Sequence, residues 1–274
     1  MEFSLEELIT FLNLQKKHII LILDYDGTLT EIVNDPMKAN LTKERKKILE
    51  NLNSKETIDI LINSGRPIEE LMILTDSINI DLLGNHGLFY REKHSKDFIQ
   101  VIDKNKLLKW DKKMLTIREH LKRNILPKYK QLWIQENAHG FVLHTRLMND
   151  FEKNLFVLEM DVLLKKKFKN ITYSTGKEII EIKPLYIVNK GKGIEWYLKN
   201  RFPNDLANNS KIIVVGDDIT DEDMFTFINK KKGISIKIGD KSSTNLNNLT
   251  AAKIIFKSVD ELYLFLEKLN SLAN

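Results

Sequence analysis

Three short apolar runs punctuate the chain: Ile19–Leu23, Ile58–Ile62 (interrupted only by Asp59) and Ile212–Val215. None alternates with polar residues, so each reads as a parallel strand covered on both faces rather than a strand with one wet face. Between and after them, apolar positions recur at helical spacing. Leu41, Ile48, Leu49 and Leu52 fall on one face of a helix. Ser258 followed by Glu261 makes a capping box for the last helix, and Ser4 with Glu7 gives a similar start signal near the N-terminus. Strands alternating with helices predict an α/β fold with a Rossmann-like, doubly wound parallel sheet.

The middle of the chain has another texture. Helical spacing from about Lys104 to Asn124 gives way to two strands, Leu132–Gln135 and Phe141–Arg146, around a turn at Asn137–Gly140. A helix over Phe151–Phe168 precedes a second hairpin, Ile171–Ser174 and Ile179–Ile182, turning at Gly176 and closed by Lys183-Pro184, where proline ends pairing. This α-β-β-α-β-β unit predicts an inserted α+β domain over residues 98–183, between a first core part at 1–97 and a second at 184–274. Hinges are expected near 95–99 and 182–186, where the chain crosses between domains. Trp110, Trp133 and Trp196 sit on apolar patterns and are expected in the core.

Composition narrows the chemistry. Of 274 residues, 42% are hydrophobic and 30% charged, the balance of a soluble globular protein. The chain has no cysteine, which excludes disulfides, thiolate metal sites and a cysteine nucleophile. The acidic start lacks the features of a signal peptide, and Ile19–Leu23 is far too short to span a bilayer. A cytoplasmic location, without membrane attachment, is expected. Net charge is +5, but the basic runs Lys165–Lys167 and Lys230–Lys232 carry no interleaved aromatics, so a lysine-rich solvated surface is expected rather than a nucleic-acid partner. No His-Glu-x-x-His and no phosphate-binding Gly-rich loop of the nucleotide-triphosphate kind occurs.

The telling feature lies just past the end of each apolar run. The first leads into Asp24-Tyr25-Asp26-Gly27-Thr28, the second into Asn63-Ser64-Gly65-Arg66, the third into Gly216-Asp217-Asp218-Ile219-Thr220-Asp221. Sites in open α/β sheets form at the carboxyl ends of strands, so these segments are expected to converge. Several carboxylates in one crevice repel one another, and a hard dication with oxygen ligands relieves that conflict. Asp24 and Asp217 are the natural side-chain ligands for Mg²⁺, with the Asp26 carbonyl a third; Asp221, one turn past Asp217, can hold a metal-bound water, and Asp218 joins the same acidic set. An EF-hand register fails, because Ile22 and Val33 would then occupy ligand positions.

With these residues in view, the chain resembles the haloacid dehalogenase-like (HAD) phosphatases, whose four motifs are matched by Asp24-Tyr-Asp26-Gly-Thr28, Ser64, Lys190 and Gly216-Asp217-Asp218-x-x-Asp221. The resemblance implies that Asp24 is the nucleophile that forms an aspartyl-phosphate, and that Asp26 is the general acid and base. Ser64 would hydrogen-bond the phosphoryl oxygens, and Lys190 (or, less favoured, Lys192) would neutralise charge. An insert between the second and third motifs implies a C2B-type cap that selects the substrate.

The details are similar to those of trehalose-phosphatases. The matching segments are Asp35-Pro36 with Ala39, Ser64-Gly65-Arg66, Asn85-His86-Gly87, His144-Thr145-Arg146, Gly176-Lys177 with Glu181 and Pro184, and Asn189-Lys190-Gly191. Ala138, Ile219 and Asn85 stand where that family usually has lysine, arginine and glutamate. The resemblance implies hydrolysis of trehalose 6-phosphate, with Gly65, Arg66, Glu136, His144, Arg146, Lys177, Glu181 and Asn189 as substrate contacts. Charged groups on a small sheet can grip sugar hydroxyls. The alternatives are a phosphatase for another sugar phosphate or a glycosyl-phosphoglycerate, and a non-catalytic sugar-phosphate-binding module. The last is expected to lose Asp24, Asp26 or Lys190, and all are present. A small-molecule partner and a monomer are expected; a trehalose-phosphate synthase partner leaves no trace in the sequence.

Overall fold

In the computed structural model the strands, in chain order, are β1 (Ile19–Leu23), β2 (Ile58–Asn63), β3 (Asp81–Gly84), β4 (Phe89–Arg91), β5 (Ile99–Gln100), β6 (Trp133–Asn137), β7 (Gly140–His144), β8 (Ile171–Gly176), β9 (Ile179–Pro184), β10 (Lys211–Gly216), β11 (Ile234–Ile238) and β12 (Ile254–Phe256). The α-helices are α1 (Lys43–Asn53), α2 (Ile68–Leu74), α3 (Lys104–Asn124), α4 (Asp150–Lys167), α5 (Lys190–Arg201), α6 (Glu222–Lys230) and α7 (Val259–Leu272). The structure describes residues 18–33, 35–75, 78–137, 140–168, 171–176, 178–184, 189–202, 209–239 and 250–272, with residues 10 and 206 besides. The start signal at Ser4 and Glu7 lies outside them.

The chain divides into two compact units, residues 1–101 with 188–274 and residues 102–187. The first is built on a sheet of order β12-β11-β10-β1-β2-β3-β4-β5. Its strands run parallel from β12 to β3, and β4 and β5 add antiparallel to the edge. β1 sits in the middle, with Leu23 beside both Val215 and Ile62. Its side chains alternate between two cores. Leu21 and Leu23 pack with Leu49 and Leu52 of α1 and Leu262 and Phe265 of α7. Ile20 and Ile22 pack with Ile194 and Tyr197 of α5 and Phe225 of α6. Apolar side chains on both faces of one strand are the reason its sequence is a continuous apolar run. Truncating a buried leucine here to alanine costs about 2–5 kcal/mol.

Two caps set helix starts. Thr42 accepts from Arg45 N at 3.3 Å, opening α1 just after the buried Leu41. Ser258 Oγ accepts from Glu261 N at 3.3 Å, while the Glu261 carboxylate takes Lys257 N at 2.6 Å, one residue before the expected box partner. No described helix is long and apolar enough to cross a membrane.

The second unit is a four-stranded antiparallel sheet of order β6-β7-β9-β8. One face carries Phe141, Leu143, Ile180 and Ile182 against Ile117 and Leu121 of α3 and Phe156, Met160 and Leu164 of α4. β9 continues to Pro184, which lies opposite Ile171 as the strand's last residue. Trp133 departs from the core position expected of it. Leu132 and Ile134 point to the helix side, so Trp133 points the other way and is 49% exposed.

Candidate active site

Because β10, β1 and β2 are parallel neighbours, the residues just past their carboxyl ends share one edge of the sheet. Asp24 is tied there by its N–H, which donates to Val215 O at 2.9 Å. Lys190, the first residue of α5, reaches the same point from the other half of the chain. Its Nζ lies 2.6 Å from Asp24 Oδ1 and 2.6 Å from Asp221 Oδ1, with the side chain only 3% exposed. Asn189 caps the helix behind it, accepting from Lys192 N at 2.8 Å. Lys192 itself is exposed. The other oxygen of Asp221 accepts from the N–H groups of Asp217 and Asp218, both at 3.0 Å, so one buried carboxylate folds the acidic loop and holds the lysine.

Oxygens of Asp24, Asp217 and Asp221 all lie within 4.8 Å of one another. Burial, then the Asp221 charge, push the Asp24 carboxyl well above the usual range, with Lys190 opposing. Burial, followed by Asp221 and Asp218, raises Asp217 to about 6. Burial works against the charge on Lys190, but Asp24 and Asp221 outweigh it and raise its pKa above the ordinary lysine value. Asp217 Oδ1 is buried without a hydrogen-bond partner among the described residues. An orphaned carboxylate oxygen among crowded carboxylates, all hard donors, fits a small divalent cation such as Mg²⁺.

The two other acidic residues expected at the metal have different partners here. Both oxygens of Asp26 are taken by Arg66, from Nε and Nη2 at 2.6 Å each. Arg66, expected to contact substrate, is itself fixed by Pro36 O at 2.8 Å and lies over the Tyr25 ring. Asp218 caps the short turn that comes next, accepting from Ile219 N at 2.6 Å.

Ser64 is buried, with its Oγ accepting from Arg66 N at 3.2 Å. The loop is shaped by the next turn: Asn85 N donates to Arg66 O at 2.7 Å and His86 N to Ser64 O at 3.0 Å. Asn85 and His86 both adopt left-handed backbone, φ 51° and 56°. A Cβ at Gly65 would come 2.6 Å from the His86 ring, which would have to shift to admit it. Gly87 and Gly193 meet backbone to backbone, a Cβ on either lying 2.8 Å from the other's Cα. Gly27, at φ +73°, leaves room for the Asp217 carboxylate where any side chain would overlap it. A cleft of about 730 Å³ opens on that side, lined by Gly27, Asp217, Ile219, Lys237 and Asp260 among others.

Sequence reasoning missed Asn63. Fully buried, it donates through Nδ2 to Lys190 O at 3.0 Å and so joins the serine loop to the lysine helix. Its signal was a polar residue directly after the apolar Ile60-Leu61-Ile62.

The expected sugar contacts lie in the second unit. His144 stacks flat on Trp133, ring centroids 3.5 Å apart, and shares a hydrogen bond with Gln135 Oε1 at 2.8 Å. Register puts Glu181 of β9 opposite Val142, two residues along β7 from His144. Glu136 lies opposite Phe141, on the other face, and pairs with Arg118 of α3. Arg146 is exposed beyond β7. Lys177 and the Glu181 side chain lie outside the described residues.

A model of the trehalose-phosphatase family matches residues 22–254. The Arabidopsis thaliana protein named "Probable trehalose-phosphate phosphatase I" is 29% identical over 224 residues, covering 77% of this chain and 58% of that protein. The trehalose-phosphatase of Schizosaccharomyces pombe is 30% identical over 238 residues, 83% of this chain and 28% of the longer relative. The chain thus spans little more than half of the first relative's length and under a third of the second's. Among solved structures, Aspergillus fumigatus trehalose-6-phosphate phosphatase superposes with a TM-score of 0.78 at 22% identity, over 98% of each chain, a likeness of fold.

Proposed function

From its membership of the trehalose-phosphatase family, we propose that this chain hydrolyses trehalose 6-phosphate to trehalose and phosphate with Mg²⁺ as cofactor. The observation that carries the reading is Lys190 bridging Asp24 and Asp221 beside the orphaned oxygen of Asp217. A carboxylate nucleophile needs its charge offset and its lone pair aimed, and a buried lysine at 2.6 Å does both.

In this reading an Asp24 oxygen attacks phosphorus, and the P–O bond to the sugar breaks. Asp26 gives its proton to the departing sugar oxygen. The aspartyl-phosphate is then attacked by water, whose proton returns to Asp26, and the Asp24–phosphorus bond breaks to release phosphate. Lys190 offsets charge on Asp24 and the phosphoryl oxygens, and Ser64 donates to the latter. Asp24, Asp217 and the Asp26 carbonyl would hold the metal, with Asp221 and Asp218 behind them; when bound, it supplies positive charge against the transferring group. The second unit serves as the cap, with His144, Arg146, Lys177 and Glu181 as sugar contacts, whereas Glu136 is committed to Arg118 on the other sheet face. The lack of cysteine agrees with a cytoplasmic enzyme.

Phosphate release from trehalose 6-phosphate, sucrose 6-phosphate, glucose 6-phosphate and mannosyl-phosphoglycerate tests the reading, with Asp24→Asn and EDTA as controls. Preference for the first, abolished by either control, is expected. Preference for another member keeps the chemistry and overturns the substrate; no release from any overturns the catalytic reading.

A further inference from the structure

Helix α4 is apolar on two faces. Phe156, Met160 and Leu164 are buried against the four-stranded sheet. On the other face stand Phe151, Leu155, Leu158 and Val162, spaced by four, three and four residues, with exposures of 78, 49, 65 and 49%. That is the spacing of a helix–helix seam, and a helix apolar all round is ordinarily a covered one. The charges at the two ends of the helix differ in sign, with Glu159 and Asp161 between them and Asp161 paired with Lys165 at 2.6 Å. Asp150 and Glu152 occupy the first turn, and Lys165 and Lys166 the last.

We propose that this stripe is the contact between two copies of the chain, packed antiparallel about a two-fold axis near Leu158. The stripe is self-complementary in that arrangement. Leu158 meets its own image, and Leu155 and Val162 exchange places across the axis. The acidic first turn of each copy falls on the basic last turn of the other, and the two helix dipoles oppose. A parallel pair would set like charges together.

The contact is small. Eighteen residues at about 1.5 Å rise make a seam about 27 Å long and about 10 Å wide, roughly 270 Å² per copy against the roughly 800 Å² of a standard interface. The dimer is therefore weak and transient. This departs from the monomer expected of the sequence, and it does not draw on the phosphatase reading.

Sedimentation velocity of the full chain from about 1 to 500 µM tests it. The average mass is expected to climb from one chain toward two. Leu158→Glu, on the exposed face, is expected to weaken association by about tenfold or more without lowering the melting temperature. Glu152→Lys or Lys166→Glu alone is expected to weaken it, and the two together to restore it, since these two positions share one flank of the helix and face each other only in the antiparallel pairing. A single chain at the highest concentration, whatever else covers the stripe, overturns the proposal. So does a dimer that Leu158→Glu leaves intact.

Discussion

Arg66 presents Nε and Nη2 to the two oxygens of Asp26, both at 2.6 Å, so the carboxylate proposed to serve the leaving group is held in one plane. The fork is fixed in turn by Pro36 O and by the Tyr25 ring beneath it. An acid that passes a proton to a departing oxygen needs one of its own oxygens free. The clamp thus sets the aim of Asp26, and one of its two contacts opens for turnover.

Arg66→Lys keeps the charge and loses the fork. It is expected to lower kcat/KM for trehalose 6-phosphate by about 10–100-fold, within the range that general acid catalysis supplies. With p-nitrophenyl phosphate, whose leaving group needs no proton, the loss should be far smaller. Equal losses on both substrates would instead make Arg66 a phosphate-binding residue.

Lys190→Met removes the one cation lying between Asp24 and Asp221. Stripping one side of a buried ionic cluster costs about 3–5 kcal/mol. The variant is expected to be inactive and to melt roughly 10 °C lower. Added Mg²⁺ should recover part of that loss, whereas an unchanged melting temperature would argue that the carboxylates are not in mutual conflict.

The raised carboxyls of Asp24 and Asp217 give a pH signature. Their pKa values in the folded, metal-free protein exceed those of the unfolded chain, so folding takes up protons, and for Asp217 it does so between about pH 4 and 6. Metal-free stability should therefore fall as pH rises through that window. Mg²⁺ requires the deprotonated carboxylates, so its affinity should drop as pH falls through about 6 and its stabilisation should be greatest at neutral pH. Thermal melts at pH 5 and 7, with EDTA or with Mg²⁺, read both slopes; a metal-free protein more stable at pH 7 contradicts the assignment.

Gly27→Ala puts a side chain at φ +73°, a conformation costing about 1–3 kcal/mol, and pushes it into the Asp217 carboxylate. Mg²⁺ binding measured by calorimetry should weaken by about tenfold or more. Unchanged affinity would show that the Asp217 side chain moves freely away.

Trp133→Ala removes the ring on which His144 rests. If that face receives the sugar, KM for trehalose 6-phosphate should rise by roughly tenfold while kcat/KM for p-nitrophenyl phosphate stays level. A parallel loss on both would point to a fold defect instead.

The frame of the site was readable because its signals are local. A continuous apolar run marks a strand with two covered faces, and an aspartate just past its end marks the sheet edge, as at Leu23-Asp24 and Gly216-Asp217. Contacts between side chains distant in sequence were not readable. Nothing around Arg66 reveals that its partner is Asp26, forty positions back, and nothing around Glu136 reveals Arg118 on a helix. Trp133 was misjudged because Leu132-Trp133-Ile134 is apolar throughout, and only alternation would have told inside from outside. β11, for which the sequence reading offered no element, shows the opposite pattern. Ser235 and Lys237 alternate with isoleucines as in a half-wet strand, yet every residue is buried, and Lys237 has Glu222 at 3.9 Å for a counter-charge. Asp218 looks equivalent to its neighbours in Asp-Asp-x-x-Asp, but the chain reverses there and spends it on a turn.

The meeting of Gly87 and Gly193 bears on how such a protein changes over time. The two stretches of the first unit, interrupted by the whole of the second, are joined by bare backbone here and by strand pairing at β1 and β10. Their alignment owes nothing to the length or composition of what lies between. The interrupting segment is therefore free to be lengthened, rebuilt or exchanged while the aspartates and the lysine keep their places, so that new substrates can be tried on an unaltered reaction centre. The seam itself has no such licence, since one added methyl on either side would pry the halves apart.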